Sequence, residues 1–146
     1  LGALAKAGHR VEGLDIAPKA VATANERLAS ERLAAARVRL GDFLVDADVP
    51  EASFDALIEH TCFCAIEPAR RTDYVRAAVR ALKPGGLLLG AFLIFEGGGP
   101  PYGSSKEELR EHFEPHFDIL KFELSSERFG PRDVPQLAGV FRLKLS

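Results

Sequence analysis

The stretch Arg10-Val-Glu-Gly-Leu-Asp15-Ile-Ala-Pro18 decides the reading of this chain. Val11 and Leu14 belong to a short apolar strand, residues 10–15, that ends on an acid. Pro18 suits the first position of the next helix, because an N–H there is unpaired in any case. In doubly wound α/β folds, a carboxylate at the end of the second strand accepts hydrogen bonds from ribose hydroxyls. Asp15 therefore points to a nucleoside-containing cofactor. Such folds open with a strand, a glycine-rich turn and a helix. Here only Leu1-Gly-Ala-Leu-Ala-Lys-Ala-Gly8 precedes the strand, and it reads as the tail of that helix. The sequence contains no Met. It is thus expected to begin inside a domain, with the first strand and the glycine-rich loop missing.

Composition narrows the class. The 146 residues are 47% hydrophobic and 27% charged, as in one ordinary globular domain. A net charge of -2, with both signs interspersed, argues against a nucleic-acid partner held by phosphate neutralisation. No apolar run approaches the roughly 18 residues of a membrane span. Cys62 and Cys64 are too close for an ordinary disulfide and lack the second pair of a structural zinc site. A reducing, cytoplasmic setting is the expectation, with no metal.

Downstream elements alternate in type. A helix is expected over 18–34, with Ala20, Val21, Ala24 and Leu28 toward the core, then a short strand over 37–41. Residues 43–53 read as loop and 54–59 as a buried strand. The apolar loop His60-Thr-Cys-Phe-Cys-Ala-Ile66 follows. The clearest helix covers 69–82, with Tyr74, Val75, Ala78, Val79 and Leu82 on one stripe and Lys83-Pro-Gly-Gly86 as its stop. Residues 87–95 are apolar throughout, which predicts a strand buried on both faces. Ser104 or Ser105 caps a helix over 106–114, and two strands close the chain at 117–125 and 137–145. The expected fold is α/β: one doubly wound, mostly parallel sheet with helices on both faces and a C-terminal antiparallel strand pair. Residues 1–146 read as a single domain.

Three further features join Asp15: Leu40-Gly-Asp42-Phe43 after the second strand, a strand ending on Glu59, and Lys83-Pro-Gly-Gly86 before the next strand. In this order they resemble the class I, Rossmann-like S-adenosylmethionine-dependent methyltransferases, across essentially the whole chain. Glu59-His-Thr-Cys-Phe-Cys-Ala-Ile-Glu-Pro68 with Gly99-Pro-Pro-Tyr102 looks like the branch of thiopurine S-methyltransferase and the thiol and halide methyltransferases. In that family the missing first strand lies between the strands at 10–15 and 54–59, and the missing glycine-rich turn binds the methionine end of the cofactor.

The resemblance implies S-adenosyl-L-methionine as cofactor. Asp15 would accept from the ribose, Ile16 would pack on the adenine, Asp42 would accept from the exocyclic amine, and the Phe43 backbone would meet the ring edge. Glu59 would lie near the methionine end of the cofactor. His60 is the candidate catalytic base, since a free imidazole titrates at about 6.5. Phe63, Phe95, Pro100, Pro101 and Tyr102 would line an apolar acceptor pocket. A soft anion attacking a sulfonium loses charge separation, so a dry pocket accelerates the transfer. Arg128 would meet an anionic acceptor. His9, His112 and His116 read as surface residues, and the two cysteines as small fillers of a buried loop. Each aromatic has core packing as its plainer role. The expected function is methylation of a small soft nucleophile, a thiol first, by a protein monomeric at full length. Two alternatives stay open: a nicotinamide-dependent oxidoreductase, whose ribose Asp15 would suit equally, and a non-catalytic remnant of the fold.

Overall fold

The computed structural model describes residues 1–125 and 134–145, so Arg128 lies outside the described residues. The chain divides into two compact units, Leu1–Val49 and Pro50–Ser146.

The first unit runs α1 (Gly2–Lys6), β1 (Val11–Asp15), α2 (Pro18–Ser30) and β2 (Ala36–Leu40). Gly8, at φ 92°, closes α1; its N–H donates to the Ala5 carbonyl and that of His9 to the Leu4 carbonyl. The second helix stops at Ser30 rather than at 34. Arg32 takes a left-handed φ of 55°, and the Leu33 N–H turns back to the Leu28 carbonyl at 2.9 Å. Glycine normally marks such a closure, and its absence here hid the helix end. Strands β1 and β2 pair in parallel, from Val11 opposite Ala36 to Asp15 opposite Leu40. Asn25 of α2 completes β2, donating to the Val38 carbonyl at 2.8 Å and accepting from its N–H at 2.9 Å.

The second unit holds β3 (Phe54–His60), α3 (Arg71–Ala81), β4 (Leu82–Leu93), α4 (Lys106–Phe113), β5 (Phe117–Leu124) and β6 (Gln136–Leu143). Its sheet order is β3-β4-β6-β5. The β3–β4 pairing is parallel; β6 pairs antiparallel with β4 and with β5. Lys83-Pro-Gly-Gly86 does not separate helix from strand. The chain is already extended at Leu82 (φ -80°, ψ 141°), and these residues belong to β4.

The expected single, mostly parallel sheet needs correction. Among the described residues the strands form two sheets, with two parallel and two antiparallel pairings. No described strand pairs with the second edge of β1 or of β3. Helices α3 and α4 pack on each other, on the face that carries Leu88, Phe92, Leu137 and Phe141, all buried. Phe113 of α4 stacks on Phe141 at 4.8 Å and meets Phe92 at 5.6 Å. Gly90 and Gly139 sit opposite one another on β4 and β6. A Cβ on Gly139 would fall 2.4 Å from the Phe141 ring, and one on Gly90 would fall 2.3 Å from the Phe92 ring. The paired glycines make room for the rings that form the core. On the opposite face Ile58 is 55% exposed. The expected buried strand is open there, because a strand with one described neighbour and one covered face keeps alternate side chains exposed.

Candidate functional site

Asp15 is the last residue of β1. Its Oδ1 accepts from the Ala17 N–H at 2.8 Å, a turn that orients the carboxylate as the chain enters α2. Its Oδ2 has no protein partner among the described residues. Ile16, beside it, is 71% exposed, an unusual position for an isoleucine. The Gly41 N–H donates to the Asp15 carbonyl at 3.1 Å, which places Asp42 beyond the end of the neighbouring strand. The Asp42 carboxylate accepts from the Leu44 N–H at 2.8 Å, and its own N–H donates to Asp48 at 2.8 Å. Phe43 is half-buried. Two acids and an open apolar side chain thus stand together at the C-terminal ends of two adjacent parallel strands. That is where ligands bind in open α/β sheets.

In the second unit, β3 ends with Glu59 and His60. His60 is exposed. Thr61 follows at φ 64°, a left-handed conformation that costs a β-branched residue about 1–3 kcal/mol. The chain then forms a 3-10 turn over Phe63–Ala65. Glu59 is 2% exposed. Its Oε1 accepts from the Cys62 and Phe63 N–H groups at 2.9 and 3.1 Å, and its Oε2 accepts from the Tyr74 hydroxyl at 2.7 Å. Burial pushes the Glu59 carboxyl above its ordinary pKa, against the opposing pull of Tyr74, the two amides and His60. Burial, and then the Glu59 charge, raise the Tyr74 hydroxyl well above its ordinary value, so it remains a donor.

Helix α3 also braces the 97–105 loop. Arg71 is 1% exposed. It pairs with Glu108 of α4, and its Nη2 donates to the carbonyls of Tyr102 at 3.3 Å and Gly103 at 3.1 Å. Its guanidinium lies 4.6 Å from the Phe63 ring centroid. The Tyr102 N–H donates to the Cys64 carbonyl at 2.7 Å, which ties the two loops together. A Cβ on Gly103 would lie 1.8 Å from the Phe95 carbonyl oxygen, so only glycine fits there. Ser105, rather than Ser104, caps α4 by accepting from the Glu108 N–H at 3.0 Å.

The other expected site residues differ in exposure. Phe63 is 1% exposed and packs edge-on to Tyr74 at 5.4 Å and Phe92 at 5.6 Å. The Glu59 carboxylate is filled by internal donors and does not point outward. Pro101 and Tyr102 are half-buried on the braced loop, and Pro100 is exposed. Cys64 is buried, with its thiol on the Thr61 carbonyl at 3.2 Å, whereas Cys62 is exposed. His9 and His116 are exposed; His112 is half-buried, with its ring 6.0 Å from that of Phe63. Sequence reasoning passed over Arg71 and read Tyr74 only as apolar stripe. The available signal was a charged residue standing in the stripe of Tyr74, Val75 and Ala78. Among the described residues no helix is long and apolar enough to cross a membrane, and no cluster could hold a metal ion.

Comparison with known proteins places the chain. A family model described as a methyltransferase domain matches residues 1–86, more than half of it, and the chain belongs to that family. It is similar to thiocyanate methyltransferase 1 of Arabidopsis thaliana, 31% identical over 97% of this chain and 61% of the relative. It is also similar to a protein named probable thiol methyltransferase 2 of the same plant, 29% identical over 89% of this chain and 58% of that one. The chain thus spans about three-fifths of the length of these relatives. In fold it matches the crystal structure of a SAM-dependent methyltransferase from Methanosarcina mazei, with a TM-score of 0.86 at 17% identity, over 99% of this chain and 86% of that one.

Proposed function

We propose that this chain is part of an S-adenosyl-L-methionine-dependent methyltransferase of the thiol, halide and thiopurine branch, acting on a small soft nucleophile, a thiol first. The observation that carries the cofactor is the Asp15 carboxylate: oriented by Ala17 through one oxygen, open at the other, and next to the exposed Ile16. A ribose diol suits that acceptor, and Ile16 offers an apolar surface to a purine. Asp42 and the Phe43 backbone would take the edge of the base. The names of the two plant relatives support a small sulfur nucleophile as acceptor.

The bound cofactor would supply an electrophilic methyl carbon on a sulfonium sulfur. The chain's own residues would orient the acceptor, exclude water and take a proton. His60, exposed at the end of β3, would take the thiol proton at an imidazole nitrogen. The deprotonated sulfur would then be held in line with the methyl carbon that the cofactor supplies. Pro101 and Tyr102, on a loop held at two carbonyls by Arg71, would line the acceptor side. A braced loop suits a reaction governed by in-line positioning. A cytoplasmic setting, a monomeric state and no nucleic-acid partner belong to the same proposal.

Calorimetric titration of S-adenosylhomocysteine tests the first half. Asp15→Ala should weaken binding about tenfold or more, the loss of charge-assisted hydrogen bonds. An unchanged dissociation constant removes Asp15 from the site. The second half is read from a panel of thiols, thiocyanate, halides and amines. Turnover of an amine with none of the sulfur or halide acceptors would refute the assignment. Cofactor binding without any turnover would favour the non-catalytic remnant.

A further inference from the structure

We propose that Glu59 is a positioning residue and not a cofactor ligand: with Tyr74 it clamps the turn at Thr61–Phe63 and so sets the exit of His60 from β3 and the seat of the Tyr102 loop. The roles of His60 and Tyr102 rest on the methyltransferase reading; the clamp itself rests on geometry alone.

The turn is costly by itself. Thr61 is held at φ 64°, and the Cys62 and Phe63 amides lie past the end of β3. One carboxylate answers both problems. It reaches forward over its own chain, accepts both amides, and is itself held by the hydroxyl of Tyr74 one element away. Thr61 adds a hydroxyl bond to the His60 carbonyl at 2.6 Å. Tyr74 is 1% exposed and locked edge-on against Phe63, so the clamp is anchored in the aromatic core. Its output is carried on: the Cys64 carbonyl, inside the same turn, receives the Tyr102 N–H at 2.7 Å. With three donors on its two oxygens, a 2%-exposed carboxylate has little capacity for a ligand. A glutamine could not replace it, since one oxygen would become a donor facing the Tyr74 hydroxyl or the amides.

The titratable groups acting on Glu59 are Tyr74 from α3 and His60 from its own strand; Arg71, also on α3, is engaged with Glu108. Removing the Tyr74 hydroxyl deletes an interaction that lowers the Glu59 pKa, so Tyr74→Phe should move the acid limb of activity to higher pH.

The experiment compares wild type, Tyr74→Phe and Glu59→Gln in the full chain. Amide exchange at Cys62 and Phe63 should accelerate about tenfold in each variant, the loss of one charge-assisted bond. S-adenosylhomocysteine affinity should stay within about twofold, while kcat/KM for the acceptor falls about tenfold. Tyr74→Phe keeps the ring that packs on Phe63, so it carries the test if Glu59→Gln does not fold. Unchanged exchange at both amides in the folded variants would overturn the clamp. So would a tenfold loss of cofactor affinity in Glu59→Gln with those amides still protected, which would make Glu59 a ligand. If wild type neither binds the cofactor nor methylates, the functional reading fails, and the exchange data still decide the clamp.

Discussion

The two units solve the problem of stability in different ways, and their difference tracks what each has to offer a ligand. In residues 1–49 a pair of short parallel strands leans on one helix, with Leu28, Val38 and Val49 as its main buried side chains. Polar contacts do much of the holding: Asn25 completes the edge of β2, and Glu12 pairs with Arg37 and Arg39. In residues 50–146 a four-stranded sheet of the described strands carries a connected cluster of packed rings that includes Phe63, Phe92, Phe113, Phe117 and Phe141. There the buried charged side chains among the described residues, Glu59 and Arg71, hold loops. The lightly packed unit keeps carboxylates open at its strand ends; the densely packed one turns its buried charges inward. Open acceptors are affordable where little apolar burial surrounds them, because an unpaired charge costs most in a dry interior.

Substitutions can break this contrast, and their expected effects fall in order. Phe141→Ala should be the most damaging, destabilising the chain by about 3–5 kcal/mol, since it removes a ring stacked on Phe113 and seated over Gly139. Leu28→Ala should cost about 2 kcal/mol, the low end for its class, because the first unit has fewer neighbours to leave a cavity among. Urea denaturation of the full chain measures both, and equal losses would erase the proposed difference in packing. Asn25→Ala should cost about 1–2 kcal/mol by leaving the Val38 N–H and carbonyl unpaired, with faster amide exchange confined to β2. Exchange that spreads to the second unit would show that the two do not open independently.

The smallest effect is a difference of sign with pH. Burial raises the Glu12 carboxyl, but the hydrogen bonds and charges of Arg39 and Arg37 outweigh it, and the net pKa is lowered. Its stabilisation is present above the ordinary glutamate value and is lost as pH falls through the lowered one. Glu59 is shifted the other way: its contribution is full below the ordinary value and is lost as pH rises through the raised one. Glu12→Gln should therefore cost more stability at neutral than at acid pH, and Glu59→Gln the reverse. Parallel pH trends in the two variants would show that one of the carboxyl environments is misassigned.

Much of the site was legible because it lies where a strand stops. The acid at Asp15 followed by Pro18, and the acid at Asp42 after Gly41, announce strand ends by residue type and spacing, and the structure finds both at the C-terminal edge of one parallel pair. The helices at α3 and α4 declared themselves by stripe and cap. Phe63 did not declare its role, since an aromatic in an apolar loop reads alike whether it faces a ligand or the core. Glu59 is ambiguous in sequence for a related reason. A carboxylate at a strand end looks the same in sequence whether it points outward or folds back over its own chain.

By itself the sequence determined the alternation of elements and the edge at which acids gather. These depend on local periodicity, on turn chemistry and on short-range order along the chain. Only the tertiary structure decided that the strands form two sheets, that α3 and α4 share one face, and that Glu59 and Arg71 hold loops. Each of these depends on contacts between residues far apart in sequence. Arg71 meets Glu108 across 37 positions and Glu59 meets Tyr74 across 15, and no local pattern encodes which distant partner fills a buried donor or acceptor.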